Sequence, residues 1–212
     1  MLIAFDLDDT LYKERDYVAS GRRAVAEAVA ADLNLDVTAV MNNGGDPFDA
    51  LHDYLVRQNI HSWPIERMVT TYRNHRPQLQ PDPRIAREFD RLRSEGHNVV
   101  IITDGSTARQ MAKIQALGLD RAVDAIYISE AVGGDKTTGA GFRAASIDFP
   151  QPHRIYIGDN PAKDFYLPNL NGWNTVMLID SDGVNIFPQS APDAAHKART
   201  AIFDLISYLK TL

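Results

Sequence analysis

The sequence contains no cysteine. Disulfides, thiolate zinc sites and cysteine nucleophiles are thereby excluded, while the redox compartment is left open. Long apolar runs are missing too, and no stretch approaches the length needed to cross a membrane. Basic charge is not in excess: 22 Lys and Arg face 28 Asp and Glu, for a net charge of −6. Such a chain has no general attraction to phosphate polymers, so no nucleic-acid partner is expected. The amino-terminal residues show no basic segment followed by an apolar stretch and a small-residue cleavage site, which makes the cytoplasm the expected location. The six histidines are scattered without an H-E-x-x-H spacing, and there is no G-x-S-x-G elbow. One dinucleotide-like pattern, Gly139-Ala-Gly-Phe-Arg-Ala144, follows a polar loop rather than a strand, so its context fails.

What is present is an ordinary globular composition, 44% hydrophobic and 24% charged over 212 residues. That length suits one domain with a sizeable insertion. The chain is organised around its first dozen residues. Leu2 to Phe5 form a short apolar run that suits a strand buried on both faces of a parallel sheet. Asp6, Asp8, Asp9 and Thr10 follow at once. Carboxylates this close in a semi-dry site cannot all stay ionised without a cation or a proton to relieve them. Asp-rich segments after strands also serve as turns and helix caps.

Residues 13 to about 80 show no convincing strand. Val18, Val25, Val29 and Leu33 recur at helical spacing, as do Phe48, Leu51 and Leu55, and Ile65, Met68, Val69 and Tyr72. Asn42-Asn-Gly-Gly-Asp-Pro47 breaks the first of these helices from the second, and Ser62-Trp-Pro64 opens the third. A stripe of Ile85, Phe89 and Leu92 closes near Gly96. Strands and helices then alternate. Strands are expected at Asn98–Thr103, Ala125–Ile128, Arg154–Asp159 and Thr175–Ile179, with a helix over 106–117. A final helix is expected to carry Ala198, Ile202, Leu205, Ile206 and Leu209 on one face. The pattern predicts an α/β fold with a doubly wound, mostly parallel sheet. Its boundaries are a core of residues 1–12 and 86–212 and a small all-helical module of residues 13–85. The module is inserted after the first strand, where it is placed to cover the strand ends.

In such sheets ligands bind beyond the carboxyl ends of the strands. Those ends carry Asp6, Asp8 and Thr10; Thr103 and Asp104; and Gly158-Asp159 with Asp164 beyond. A lone lysine lies in the loop Gly133-Gly-Asp-Lys136-Thr-Thr-Gly139. Carboxylates, a hydroxyl, an ammonium and glycine-freed amides suit a phosphoryl group beside a hard cation such as Mg²⁺.

Asp6-Leu-Asp-Asp-Thr10, Val100-Ile-Ile-Thr103, Lys136 and Gly158-Asp-Asn-Pro-Ala-Lys-Asp164 resemble the four ordered motifs of the haloacid dehalogenase-like (HAD) hydrolases. The helical block sits where the helical-capped (C1-type) phosphatases of that family insert a cap. The resemblance implies a Rossmann-like core and a Mg²⁺-dependent phosphatase of a small phosphorylated metabolite. Asp6 would be the nucleophile that forms an aspartyl-phosphate. Asp8 would be the general acid and then the base. Thr103, the following residues Asp104 and Gly105, and Lys136 would bind phosphate. Asp6, Asp159 and the Asp8 main-chain carbonyl would hold the metal, with Asp164, Asn160 and Thr10 in support. Lys136 departs from the family in being followed by Thr137 rather than proline, which leaves Lys163 and Lys113 as alternatives. Asp9 reads as a turn residue, and Asp104 as a loop cap or a metal-shell support. Arg73, His75 and Arg76 are either a solvated helix end or contacts to an anionic substrate. Trp63, Tyr54 and Tyr72 read as core of the helical module.

Because a phosphoester leaving group needs a proton and a halide does not, Asp8 argues for phosphatase over 2-haloacid dehalogenase chemistry. A phosphotransferase or mutase with the same intermediate, and a non-catalytic phosphate-binding protein, are the alternatives. The sequence does not separate monomer from homodimer.

Overall fold

A computed structural model describes residues 1–42 and 45–212; the expected break at Asn42–Pro47 falls partly on residues 43–44, outside that description. The described residues form two compact units, one of Met1–Arg15 with Gln80–Leu212 and one of Asp16–Leu79.

The first unit is built on six strands: β1 (Leu2–Phe5), β2 (Asn98–Thr103), β3 (Ala125–Ile128), β4 (Arg154–Gly158), β5 (Asn174–Leu178) and β6 (Thr200–Ile202). Their order is β3-β2-β1-β4-β5-β6, and every neighbouring pair is parallel. β1 is buried along its whole length because both of its faces are covered. On one face Leu2, Ala4, Val100, Ile102 and Tyr156 pack with Phe142, Phe165 and Trp173. Elsewhere in the core Phe5 meets Phe89 of the helix Pro83–Ser94, with ring centroids 4.6 Å apart. The strand order runs outward from β1 in both directions, so β1 and β4 flank a topological switch point. In register, Phe5 lies beside Ile101 on one side and Ile157 on the other, which puts Asp6 and Asp159 just past the ends of adjacent strands.

The expected final helix is corrected. Thr200–Ile202 is the edge strand β6, paired with Val176–Leu178, and the helix spans only Leu205–Leu209. Ala198 and Ile202 share a helical spacing with Leu205 and Leu209 by coincidence. Asp204 starts a new helix instead, its side chain accepting from the Ser207 amide at 2.6 Å.

The second unit is helical. It carries most of Glu14–Leu33, then Thr38–Met41, Pro47–Arg57 and Ile65–Asn74. Its core joins Val25, Val29, Met41, Leu51, Leu55, Trp63 and Met68, with Tyr54 and Tyr72 packed against it. Asp46 caps Pro47–Arg57 by accepting from the Phe48 and Asp49 amides. Gly21 permits close packing, since a Cβ there would lie 2.4 Å from the Tyr72 ring. Among the described residues, no helix is long and apolar enough to cross a membrane.

Candidate active site

The loop after β1 turns sharply. The Leu11 amide returns to the Leu7 carbonyl at 2.9 Å, and Asp9 sits at φ +56°. That conformation is unusual for a residue with a side chain. It is held by the Asp9 carboxylate, which accepts from the Glu14 amide at 2.9 Å and from the Ile186 amide at 3.0 Å. Asp9 is thus a turn residue, and the turn presents Asp6 and Asp8.

Asp6 is buried, and its Oδ1 lies 2.5 Å from Lys136 Nζ. The same ammonium donates to Asp164 Oδ1 at 2.7 Å. Asp164, fully buried, also accepts from the Tyr156 hydroxyl and from the Asp159 and Asn160 amides. Its oxygens are therefore committed to holding the loop after β4 and the lysine. The close approach requires Gly158, because a Cβ there would stand 2.5 Å from Asp164 Oδ2. Lys136 is fixed from its backbone as well, its amide donating to Asp104 Oδ1 at 3.0 Å.

One ammonium facing three buried carboxylates leaves the cluster short of positive charge. Burial pushes the Asp6 carboxyl well above the usual carboxylate range, and Asp164 and Asp159 add to the rise while Lys136 opposes it. Burial followed by Asp164 lifts Asp159 to about 7. Burial alone would lower Lys136, but the carboxylates of Asp164 and Asp6 outweigh it and hold the ammonium firmly charged. Carboxylate oxygens of Asp6, Asp159 and Asp164 lie within 4.8 Å of one another. This donor set, all oxygen and deficient in positive charge, fits a hard divalent cation. Since Asp164 is occupied by four donors, Asp6 and Asp159 are the carboxylates suited to hold it.

Asp8 has a different environment. Its oxygens receive Lys113 Nζ at 2.7 Å, Gln110 Nε2 at 2.9 Å and the Tyr12 hydroxyl. Gln110 Nε2 also donates to Thr103 Oγ1 at 2.7 Å, which ties Asp8 to the end of β2. Both Gln110 and Lys113 come from the inward face of the helix Thr107–Ala116 and are buried. Asp6, Asp8, Glu14, Thr103, Asp104, Lys136, Asp159 and Lys163 line one cavity of about 130 Å³, with Phe187 at its wall. The cavity is small beside the ~300–1,000 Å³ of pockets that enclose a drug-sized ligand, and it matches a phosphoryl group better than a large cofactor. Glu14 is pushed up to about 7, first by burial and then by the Asp8 carboxylate.

Residues 3–171 match the family model described as "Haloacid dehalogenase-like hydrolase". The chain belongs to this family. Among the HAD-like hydrolases, a curated relative is the glyceraldehyde 3-phosphate phosphatase of Methanocaldococcus jannaschii. It is 27% identical over 222 residues, which cover 98% of this chain and 97% of that protein. Among solved structures, the magnesium-bound putative HAD-hydrolase YfnB of Bacillus subtilis aligns with a TM-score of 0.65 at 16% identity, covering 100% of this chain and 97% of that one. A 2-haloacid dehalogenase of Pseudomonas syringae aligns with a TM-score of 0.64 at 19% identity, covering 99% and 96%. At such identities the two structures speak for the HAD fold alone.

Of the site residues expected from sequence, this HAD core brings together Asp6, Asp8, Thr103, Asp104, Lys136, Asp159, Asn160 and Asp164. Lys113 contacts Asp8, so the lysine on Asp6 is Lys136. The Gly105 amide donates to Ser129 Oγ at 2.9 Å. The Thr10 hydroxyl is buried with no hydrogen-bond partner among the described residues. Arg73, His75 and Arg76 lie in the helical unit, where the His75 ring contacts the Tyr72 carbonyl and the Ser20 hydroxyl. Asn185, Gln189, Gln110 and Tyr12 were not foreseen. For Gln110 and Lys113 a signal existed: two polar residues three apart on the helix face that also carries Ile114.

Proposed function

We propose that the chain is a Mg²⁺-dependent phosphomonoesterase acting on a small phosphorylated metabolite through an aspartyl-phosphate. The observation that carries this reading is the convergence of Asp6, Lys136 and Asp159 at the switch point with Asp8 beside them. Its relatives are named as phosphatases, which supports the same reading. Asp6 and Asp159, with the main-chain carbonyl of Asp8, would hold the ion. Bound there, Mg²⁺ would neutralise the carboxylates and the phosphate oxygens.

The remaining roles belong to the chain. The Asp6 carboxylate attacks phosphorus, and the bond to the leaving oxygen breaks as Asp8 gives that oxygen a proton. Lys136 holds Asp6 in place and offsets the charge of the transferring group, as does the Thr103 hydroxyl through a hydrogen bond. Asp8 then takes a proton from the water that cleaves the aspartyl-phosphate. Gln110, Lys113 and Tyr12 fix the direction of the Asp8 carboxyl. Asp104 and Asp164 set the position of Lys136 from its two ends.

The test is a phosphate-release screen over triose phosphates, including glyceraldehyde 3-phosphate, together with other sugar phosphates, nucleotides and phosphoserine, with and without Mg²⁺. Metal-dependent release from at least one phosphomonoester supports the reading. Absence of release across the panel, with binding of phosphate retained, would replace it with a phosphate-binding protein.

A further inference from the structure

The segment that follows β5, residues 180–189, is bound to the site at several points. The Ile186 amide donates to Asp9 Oδ2 at 3.0 Å, on the turn after β1. Gln189 Nε2 donates to the Asp159 carbonyl at 3.0 Å and to the Leu178 carbonyl at 2.7 Å. Asn185 Nδ2 donates to Asp159 Oδ2 at 2.9 Å. The orientation of that amide is decided by chemistry. Asn185 Oδ1 faces Lys13 Nζ at 2.9 Å, and an ammonium can only donate, so the NH₂ group must point to the carboxylate. The arrangement is tightened by Asp180, which accepts from the Asn185 amide at 2.8 Å and lies 3.4 Å from Lys13 Nζ. A single strap therefore joins the turn carrying Asp9 to the turn carrying Asp159.

We propose that Asn185 is a positioning residue for the metal site, with Lys13 orienting it. By holding one oxygen of Asp159, the amide fixes the plane of the carboxylate and leaves the other oxygen directed for an ion. The bond costs nothing in charge, whereas a Lys or Arg at this place would compete with the cation. Outer partners of metal ligands act in this way generally, and their loss weakens metal affinity by about 10–100-fold. The inference rests on the Mg²⁺ reading above and adds the strap to it.

The experiment is calorimetric titration of Mg²⁺ into the whole protein. Wild type is compared with Asp159→Asn, Asn185→Leu, Lys13→Met and Lys13→Arg, with the Tm of each metal-free protein measured in parallel. Asn185→Leu keeps the shape and removes the donor; it should weaken Mg²⁺ about 10-fold. Lys13→Met should weaken it less, and Lys13→Arg, which keeps a donor for Asn185 Oδ1, should restore most of the affinity. A purely structural strap would lower Tm in both Lys13 variants without that recovery. In activity assays, the half-saturating Mg²⁺ concentration should rise in Asn185→Leu by more than the plateau rate falls. Should Asn185→Leu fail to fold, the smaller Asn185→Ala, which also lacks a donor, carries the same comparison. Equal Mg²⁺ affinity in wild type and the Asn185 variant, with Asp159→Asn inactive in binding, would overturn the role of Asn185 and leave the metal site standing. Failure of wild type itself to bind Mg²⁺ would remove both.

Discussion

The two units bury their side chains on opposite principles. Among the described residues of the helical unit, Ser20 is the buried polar residue, and its hydroxyl accepts from the Gln78 amide at 2.8 Å. The rest of that core is aliphatic and aromatic. The α/β unit buries Asp6, Asp9, Asp159, Asp164 and Lys136 in the segments beyond its strands and Lys113 on the helix Thr107–Ala116. Replacing buried ions by apolar residues of similar volume is often neutral or stabilising, because buried ions lose hydration that their pairing does not always restore. The helical unit shows how the same chain packs a core with no buried charge among its described residues.

This contrast can be broken most severely at Asp6. Asp6→Asn should abolish phosphate release, by about 10⁴-fold or more in kcat. The same variant should raise the Tm of the metal-free protein, since it removes a negative charge from an over-charged cluster. Loss of activity together with loss of stability would contradict the contrast.

Lys136→Met has the opposite sign for stability. It leaves Asp6 and Asp164 buried without their cation, a change that costs about 3–5 kcal/mol. Urea unfolding of the metal-free protein measures it, and added Mg²⁺ should return part of the loss.

In the helical unit, Leu55→Ala removes a fully buried side chain and should cost about 2–5 kcal/mol. Its Mg²⁺ affinity, read by calorimetry, should stay at the wild-type value. A large fall in that affinity would show that the two kinds of core are not separable.

Gly158→Ala sharpens the comparison at the smallest scale. The added methyl meets Asp164 Oδ2 at 2.5 Å, and relief of such overpacking costs about 1–3 kcal/mol. The reduced Tm should be accompanied by weaker Mg²⁺ binding, as displacement of Asp164 disturbs the Asp159 amide that it holds.

Much of this was legible in the sequence because the information is local. Strands β1 to β5 announce themselves as apolar runs, and a parallel sheet must bring their carboxyl ends to one edge. Asp6, Thr103 and Asp159 follow those runs directly. β6 was hidden: three residues, Thr200–Ile202, mostly exposed at a sheet edge, leave no alternating or buried pattern to read. The partners across long separations were hidden too. Asn185 reaches Asp159 across 26 positions and Lys113 reaches Asp8 across 105. Nothing in the local pattern around Asn185, a polar turn between Asp180 and Gln189, distinguishes it from a solvated loop. The Ser129 hydroxyl that accepts from the Gly105 amide was hidden for the same reason, since it lies beyond another strand.

The central claim is that Asp6 is the atom donor to phosphorus. It is tested most directly by quenching the protein in acid during turnover of a hydrolysed phosphomonoester and mapping phosphoryl-bearing peptides by mass spectrometry. The account predicts an alkali-labile acyl-phosphate on the peptide containing Asp6, absent in Asp6→Asn. Turnover with no covalent phosphoryl group, or with the group on another residue, would contradict it.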